Sequence, residues 1–150
     1  ETQAESAGWD ADAAAAFTAA LQAGKPARMP LPGGKTLTAR VFPADFEEKI
    51  QVVHKKDLKN RADYARITTL YAGLVLRTRQ PGDVYRPAGR AVHNRLRKWM
   101  NEADIPVQQR DTLPLLAAGS EVLWVCGSGF AEGLAPDETT TQILQMEQET

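Results

Sequence analysis

Residues 74–98 run LVLRTRQPGDVYRPAGRAVHNRLRK and carry seven basic side chains against a single acid, Asp83. The first three of these residues are apolar and the next three polar, and we expect this stretch to form a half-buried strand with Arg77 and Arg79 on one face. The following Gln80-Pro81-Gly82-Asp83 predicts a turn, because proline fixes φ and glycine permits a positive φ. The basic side chains are therefore expected on an ordered frame rather than in a disordered tail.

Charge is unevenly distributed along the 150 residues, although the formal net charge is only −1. The net charge is −3 over residues 1–48, +9 over 49–110 and −7 over 111–150. A cationic segment in a nearly neutral protein is typical of a surface that binds phosphate groups. Arginine suits this role because its planar guanidinium can bind two phosphate oxygens at once.

The order of apolar patterns predicts an α+β domain, because strands and helices do not alternate as they do in a doubly wound sheet. Lys55 to Arg66 is compatible with either a short helix or a surface loop. The expected elements are an alanine-rich helix at 10–22, a strand pair at 30–42, a short strand at 50–53, one or two strands at 67–79, a helix at 92–103, an extended run from 113, a buried strand at 121–125 and a final helix at 141–146.

No motif in the chain predicts catalysis or metal binding. Gly34-Lys35-Thr36 resembles the end of a phosphate-binding loop, but the first glycine of that loop is missing and a strand is expected to follow. Gly127-Ser128-Gly129 lacks the spacing of a nucleophile elbow and predicts a turn after a strand. His54 and His93 lie far apart, and Cys126 is the single cysteine, so neither a zinc site nor a Cys–His pair is indicated.

Composition also indicates in which cellular compartment the protein is expected. No apolar run approaches the 18 residues of a membrane span, and residues 1–5 are acidic and polar, unlike a signal peptide. A lone cysteine fits a reducing compartment, so we expect a cytoplasmic protein with no membrane partner. Because the chain does not begin with methionine, we take it as a piece of a longer protein.

Five motifs occur in the order found in one known family. They are RTRQPGD at 77–83, RPAG at 86–89, LRKWMNEA at 96–103, RDTLPLL at 110–116 and VLWV at 122–125. In this order, residues 73–131 resemble the C-terminal domain of tRNA(Ile)-lysidine synthetases. The chain departs from that family at Val84 and at 91–94, where basic, aromatic or glycine-rich sequence is usual.

The resemblance implies a compact mixed-sheet domain, related in fold to a region of the β subunit of phenylalanyl-tRNA synthetase and preceded by the short alanine-rich helix. Residues 1–27 would end a helical middle domain, 28–146 would form the C-terminal tRNA-binding domain and 147–150 a tail. The parent enzyme would use ATP and Mg²⁺, held in an N-terminal domain, to ligate lysine to the wobble cytidine of an isoleucine tRNA. This piece would bind the acceptor-stem side of the tRNA without cofactors and without catalysing anything alone.

The candidate RNA contacts follow from the charge pattern and the resemblance together, and no DNA contact is expected. Replacing Arg77 and Arg79 together by alanine is expected to weaken tRNA binding at a nearly unchanged melting temperature. Tyr85 is compatible with stacking on a terminal base or with packing in the core. Two other functions stay open: a protein-interaction or homodimerisation module, and a small-molecule or peptide-binding domain. The full set of candidate contacts is Arg77, Arg79, Tyr85, Arg86, Arg90, His93, Arg97, Lys98 and Arg110.

Overall fold

The computed structural model describes residues 9–44, 59–87 and 94–149 of the chain. The helices in these residues are α1 (Ala11–Gln22), α2 (Tyr64–Leu70), α3 (Leu96–Glu102) and α4 (Val107–Arg110). The strands are β1 (Ala27–Leu31), β2 (Lys35–Pro43), β3 (Arg61–Asp63), β4 (Leu74–Arg77), β5 (Val84–Tyr85), β6 (Asn94–Arg95), β7 (Leu115–Ala118), β8 (Glu121–Val125), β9 (Gly129–Phe130) and β10 (Gln142–Glu149).

The strands form two sheets. One is antiparallel with the order β1-β2-β10-β3. The other has the order β4-β7-β8-β5-β6, with β9 paired to β8, and is mixed because β5 and β8 run parallel. This arrangement confirms the predicted α+β class and its mixed sheet. No helix in the described ranges is long and apolar enough to cross a membrane.

The first sheet confirms one prediction and corrects another. The expected strand pair is the β1–β2 hairpin, which turns through Gly33 and Gly34, both at positive φ. The final helix expected at 141–146 is wrong, because β10 occupies this segment and pairs with β2 and β3 on its two sides. A short apolar run is compatible with the period of a helix and with that of a strand. Here, pairing with strands on both sides determines that the segment is a strand. β10 extends to Glu149, and the domain limits proposed at residues 27 and 146 stay predictions.

Helix α1 confirms the predicted N-terminal helix and packs against β1 and β4. The Asp10 carboxylate accepts a hydrogen bond from the Ala13 amide at 3.0 Å, so it is the N-cap. On the side of β4, the Thr18 hydroxyl accepts from the Leu76 amide at 3.0 Å, and the Gln22 side chain donates to the Leu74 carbonyl at 2.7 Å. These side chains satisfy backbone groups at the edge of the second sheet.

Within residues 59–79, the structure differs from the prediction. Residues 67–70 belong to α2 rather than to a strand, because Asp63 caps that helix by accepting from the Arg66 amide at 3.0 Å. β4 then begins at Leu74, after the predicted break at Gly73, which has a φ of +72°. The strand expected at 50–53 and the segment 55–58 lie outside the described residues.

Helix α3 is shorter than the predicted 92–103. Asn94 and Arg95 pair with β5 as strand β6, so the helix starts only at Leu96. Its apolar stripe is nevertheless as expected, since Leu96, Trp99 and Met100 are all buried. The strand predicted at 121–125 is β8 with the same bounds, and the turn expected at Gly127-Ser128-Gly129 follows it.

A close backbone approach at Gly129 gives the first testable prediction. Gly129 has a φ of +121°, and a Cβ there would lie 2.6 Å from the Lys59 carbonyl oxygen. We expect Gly129→Ala to lower the free energy of unfolding by about 2–4 kcal/mol, from strain and steric overlap together. Urea denaturation measures this difference.

Gly127→Ala is the matched control. Gly127 also has a positive φ, +90°, but nothing lies within 4 Å of its Cβ position. Only the backbone strain of about 1–2 kcal/mol is then expected. Equal losses for the two variants would show that contact with Lys59 does not constrain Gly129.

Candidate nucleic-acid interface

A buried ion pair holds the Gln80-Pro81-Gly82-Asp83 turn against the end of β4. Arg77 binds Asp83 in a bidentate manner, with Nη1 donating to Oδ2 and Nη2 donating to Oδ1, both at 2.9 Å. The side chains are only 13% and 2% exposed. Asp83 also accepts from the Gln80 amide at 2.8 Å, and its carbonyl accepts from the Leu96 amide at 2.9 Å. The pair therefore fixes both the turn and the start of α3.

This geometry gives Arg77 a different role from the predicted RNA contact. Its two terminal nitrogens also donate to the Thr78 carbonyl at 2.9 Å and the Gly119 carbonyl at 2.7 Å. Each terminal nitrogen thus has two acceptors inside the protein. A phosphate reaching this guanidinium would have to displace a buried carboxylate, so we assign Arg77 to holding the turn.

A groove with a volume of about 770 Å³ lies beside this turn, between residues 79–83, α3 and α4. Its described lining includes four arginines and two carboxylates, Asp83 and Asp111. Arg77 already neutralises Asp83, so four guanidinium groups face one further carboxylate. Positive charges gathered around one concave surface raise the local concentration of anions. The four are Arg79, Arg95, Arg97 and Arg110.

Two of the groove arginines are held in place by the protein. Arg79 Nε donates to Asp111 Oδ1 at 3.0 Å, and one of its terminal nitrogens makes only a 3.9 Å contact with the Met100 sulfur. Arg110 donates to the Ile105 carbonyl and to the Asn101 side-chain oxygen, both at 2.8 Å. Side chains ordered before binding lose less conformational entropy when an anion arrives.

The other groove arginines point to solvent. Arg95 and Arg97 are exposed and make no ion pair within the described part of the chain, and the same holds for Lys98 beside them. Arg97 and Lys98 lie on the outer side of α3 because the neighbouring apolar positions are buried. Arg95 was missing from the predicted contacts. The sequence signal that could have identified Arg95 as a contact is its position directly before the amphipathic helix.

Tyr85 lies in the core, so of the two alternatives, stacking on a base and packing in the core, the structure supports packing. Its side chain is fully buried, and its ring meets the Trp99 ring edge-on with 5.0 Å between centroids. The hydroxyl donates to the Gly129 carbonyl at 2.8 Å and lies 3.0 Å from the Ser128 hydroxyl. Burial raises the pKa of Tyr85 to about 12. No ring face is open to a base, and we leave Tyr85 out of the interface.

The remaining predicted contacts are not brought into the groove by the described structure. Arg86 is half-buried and lies outside the groove lining, as does the exposed Lys98. Arg90 and His93 fall outside the described residues. The structure therefore brings together three of the predicted contacts, Arg79, Arg97 and Arg110, and adds Arg95.

Cys126 directly follows β8 and has a buried thiol. It is 7% exposed, and its sulfur lies 2.7 Å from the Gln148 side-chain oxygen. Burial raises the pKa of the Cys126 thiol to about 11, so it stays protonated at neutral pH. Within the described ranges, no group of three or more His, Cys, Asp or Glu side chains has the arrangement of a metal site.

Comparison with known proteins identifies relatives of this chain in sequence and in fold. Residues 74–146 match the family described as the TilS substrate C-terminal domain. The tRNA(Ile)-lysidine synthase of Caldanaerobacter subterraneus subsp. tengcongensis is 27% identical over 105 residues, which cover 68% of this chain and 22% of the relative. That of Symbiobacterium thermophilum is 40% identical over 73 residues, 49% of this chain and 15% of the relative. The chain thus spans about a fifth of such relatives or less.

A solved structure agrees in fold. It is described as the crystal structure of the TilS C-terminal domain and aligns with a TM-score of 0.62 at 22% identity. The alignment covers 83% of this chain and 90% of that structure. At this identity the likeness supports the fold alone, whereas the matched sequence supports the family. Residues 74–146 therefore match the C-terminal domain family of the tRNA(Ile)-lysidine synthases.

Proposed function

We propose that this chain is the tRNA-binding part of a tRNA(Ile)-lysidine synthase, and that its groove binds the phosphate backbone of a tRNA on the acceptor-stem side. The observation that carries the proposal is the gathering of Arg79, Arg95, Arg97 and Arg110 around one groove. A guanidinium binds phosphate through paired hydrogen bonds as well as charge. The names of the relatives, all tRNA(Ile)-lysidine synthases, make tRNA the matching polyanion.

In this proposal the chain positions its substrate and another part of the parent enzyme performs the reaction. The parent would use ATP and Mg²⁺ to join lysine to the wobble cytidine of an isoleucine tRNA in the cytoplasm. The groove would hold a region of the tRNA far from that cytidine. Backbone contacts fix the register and orientation of a nucleic acid, and correct orientation of bound reactants accounts for a large share of many rate enhancements.

The Arg77–Asp83 ion pair, called here the turn clamp, and the groove act together in this function. The Arg77–Asp83 pair holds residues 80–83, and the Asp83 carbonyl anchors the first residue of α3. Arg79 precedes the clamped turn, while Arg95 and Arg97 flank that anchored residue. The clamp therefore sets the spacing between cationic groups that come from two separate segments of the chain.

Salt dependence of tRNA binding tests the proposal. Because each neutralised phosphate releases condensed cations, we expect log K to fall against log salt with a slope of about −3 to −4 for four to five contacts. Fluorescence anisotropy with labelled tRNA across a salt series measures this slope. A slope near zero would contradict the proposal. Gel filtration of the chain alone at low and high salt reports the alternative, self-association through complementary charges.

A further inference from the structure

Two side chains in the groove are not explained by phosphate binding. Val107 begins α4 and is 69% exposed, although valine is usually buried. Leu70 is also a large exposed hydrophobic side chain in the described ranges, but it lies outside the groove. Asp111 carries a carboxylate that is 57% exposed and would repel phosphate oxygens. Both line the groove beside its arginines.

Val107 and Asp111 are arranged to act together. They are four residues apart across the single turn of α4, the spacing that places two side chains on the same side. Asp111 Oδ1 accepts from Arg79 Nε at 3.0 Å, which orients the carboxylate. Within the described chain, Asp111 Oδ2 has no hydrogen bond that would compete with a ligand. The groove thus offers an apolar surface and a hydrogen-bond acceptor side by side.

We infer that the groove takes an unpaired nucleotide of the RNA, and that it prefers a base with an exocyclic amino group. This inference rests on the proposed function and assigns two of its groove residues. Paired bases in an RNA helix keep their faces stacked and their pairing edges occupied, whereas an unpaired base exposes both. Val107 contacts the base face, and Asp111 accepts from the amino group of cytosine, adenine or guanine. Arg95, Arg97 and Arg110 bind the flanking phosphates.

Three RNA hairpins that differ only at the 3′ end test the inference. One is blunt, one carries four unpaired cytidines and one carries four unpaired uridines, so the two overhangs have equal charge and similar size. We expect the wild-type chain to bind the cytidine overhang about tenfold more tightly than the uridine overhang, from one charge-assisted hydrogen bond. Both overhangs are expected to bind more tightly than the blunt hairpin.

Two substitutions separate the two contacts. Val107→Thr keeps the side-chain shape but makes it polar, and is expected to remove most of the advantage of both overhangs while leaving blunt binding unchanged. Asp111→Ala removes the acceptor and is expected to abolish the preference for cytidine over uridine. General electrostatic effects of Asp111→Ala cancel in that ratio. Leu70→Thr and Asp12→Ala, which make the corresponding changes at exposed positions outside the groove, are expected to change neither ratio.

The outcomes distinguish this inference from the proposed function. Overhangs that bind no better than the blunt hairpin, equal affinity for cytidine and uridine, or a Val107→Thr effect that is the same on all three hairpins would each overturn the inference. Steep salt dependence with all three hairpins would leave the proposed function standing in those cases. Absence of salt-dependent binding to every hairpin would overturn both.

Discussion

The Arg77→Ala variant is expected to lose about 3–5 kcal/mol of unfolding free energy, because it leaves a buried carboxylate without its partner. Asp83 has a side chain that is 2% exposed, and both of its oxygens accept from Arg77 at 2.9 Å. Urea denaturation at neutral pH measures the loss. For Arg77 this expected loss replaces the expectation from the sequence that alanine at Arg77 and Arg79 would spare the melting temperature.

Two controls show whether the clamp is the cause. Arg97→Ala removes an exposed arginine and is expected to change the free energy of unfolding by less than about 0.5 kcal/mol. Combining Arg77→Met with Asp83→Leu replaces the ion pair by apolar side chains, and is expected to recover most of the stability that Arg77→Ala loses. Similar losses for Arg77→Ala and Arg97→Ala would contradict a structural role for Arg77.

Removing three groove arginines together is expected to have the largest effect on binding. The variant Arg95→Ala/Arg97→Ala/Arg110→Ala should weaken tRNA binding about a hundredfold near physiological salt, since each arginine supplies a charge-assisted phosphate contact. Its stability should fall by only about 1–2 kcal/mol, because within the described residues Arg110 is the only one of the three whose side chain makes hydrogen bonds. Fluorescence anisotropy and urea denaturation measure the two effects.

A second triple variant controls for net charge. Arg28→Ala/Lys35→Ala/Arg40→Ala removes the same number of charges from exposed positions on β1 and β2, away from the groove. It is expected to weaken tRNA binding less than tenfold, through long-range electrostatics alone. Equal weakening by the two triple variants would mean that tRNA binding follows total charge and not the groove.

Local sequence signals predicted β4, the turn and α3 beside the groove, but not α4. The apolar run at 74–76 predicted β4, the Pro-Gly pair predicted the turn, and the stripe of Leu96, Trp99 and Met100 predicted α3. Each of these depends on residues within a few positions of one another. Short apolar runs were misleading at 67–70, where Asp63 caps a helix, and in β10, where pairing with the distant β2 and β3 determines a strand.

The site was only partly predictable for a related reason. Composition shows that residues 74–98 hold seven basic groups, but not which of them meets a carboxylate once the turn forms. Arg77 and Asp83 are six residues apart, a spacing that places them together only because the turn reverses the chain. Tyr85 likewise follows the turn in sequence but faces the core, since it lies in β5 beside buried β8.

The most direct test of tRNA binding in the groove compares the salt dependence of two proteins, the wild-type chain and the variant Arg95→Ala/Arg97→Ala/Arg110→Ala, called here the groove variant. If Arg95, Arg97 and Arg110 each neutralise a phosphate, their combined replacement by alanine should make the slope of log K against log salt shallower by about 2–3. The Arg28/Lys35/Arg40 variant should keep the wild-type slope. A groove variant with an unchanged slope would show that the tRNA backbone is bound elsewhere on the chain.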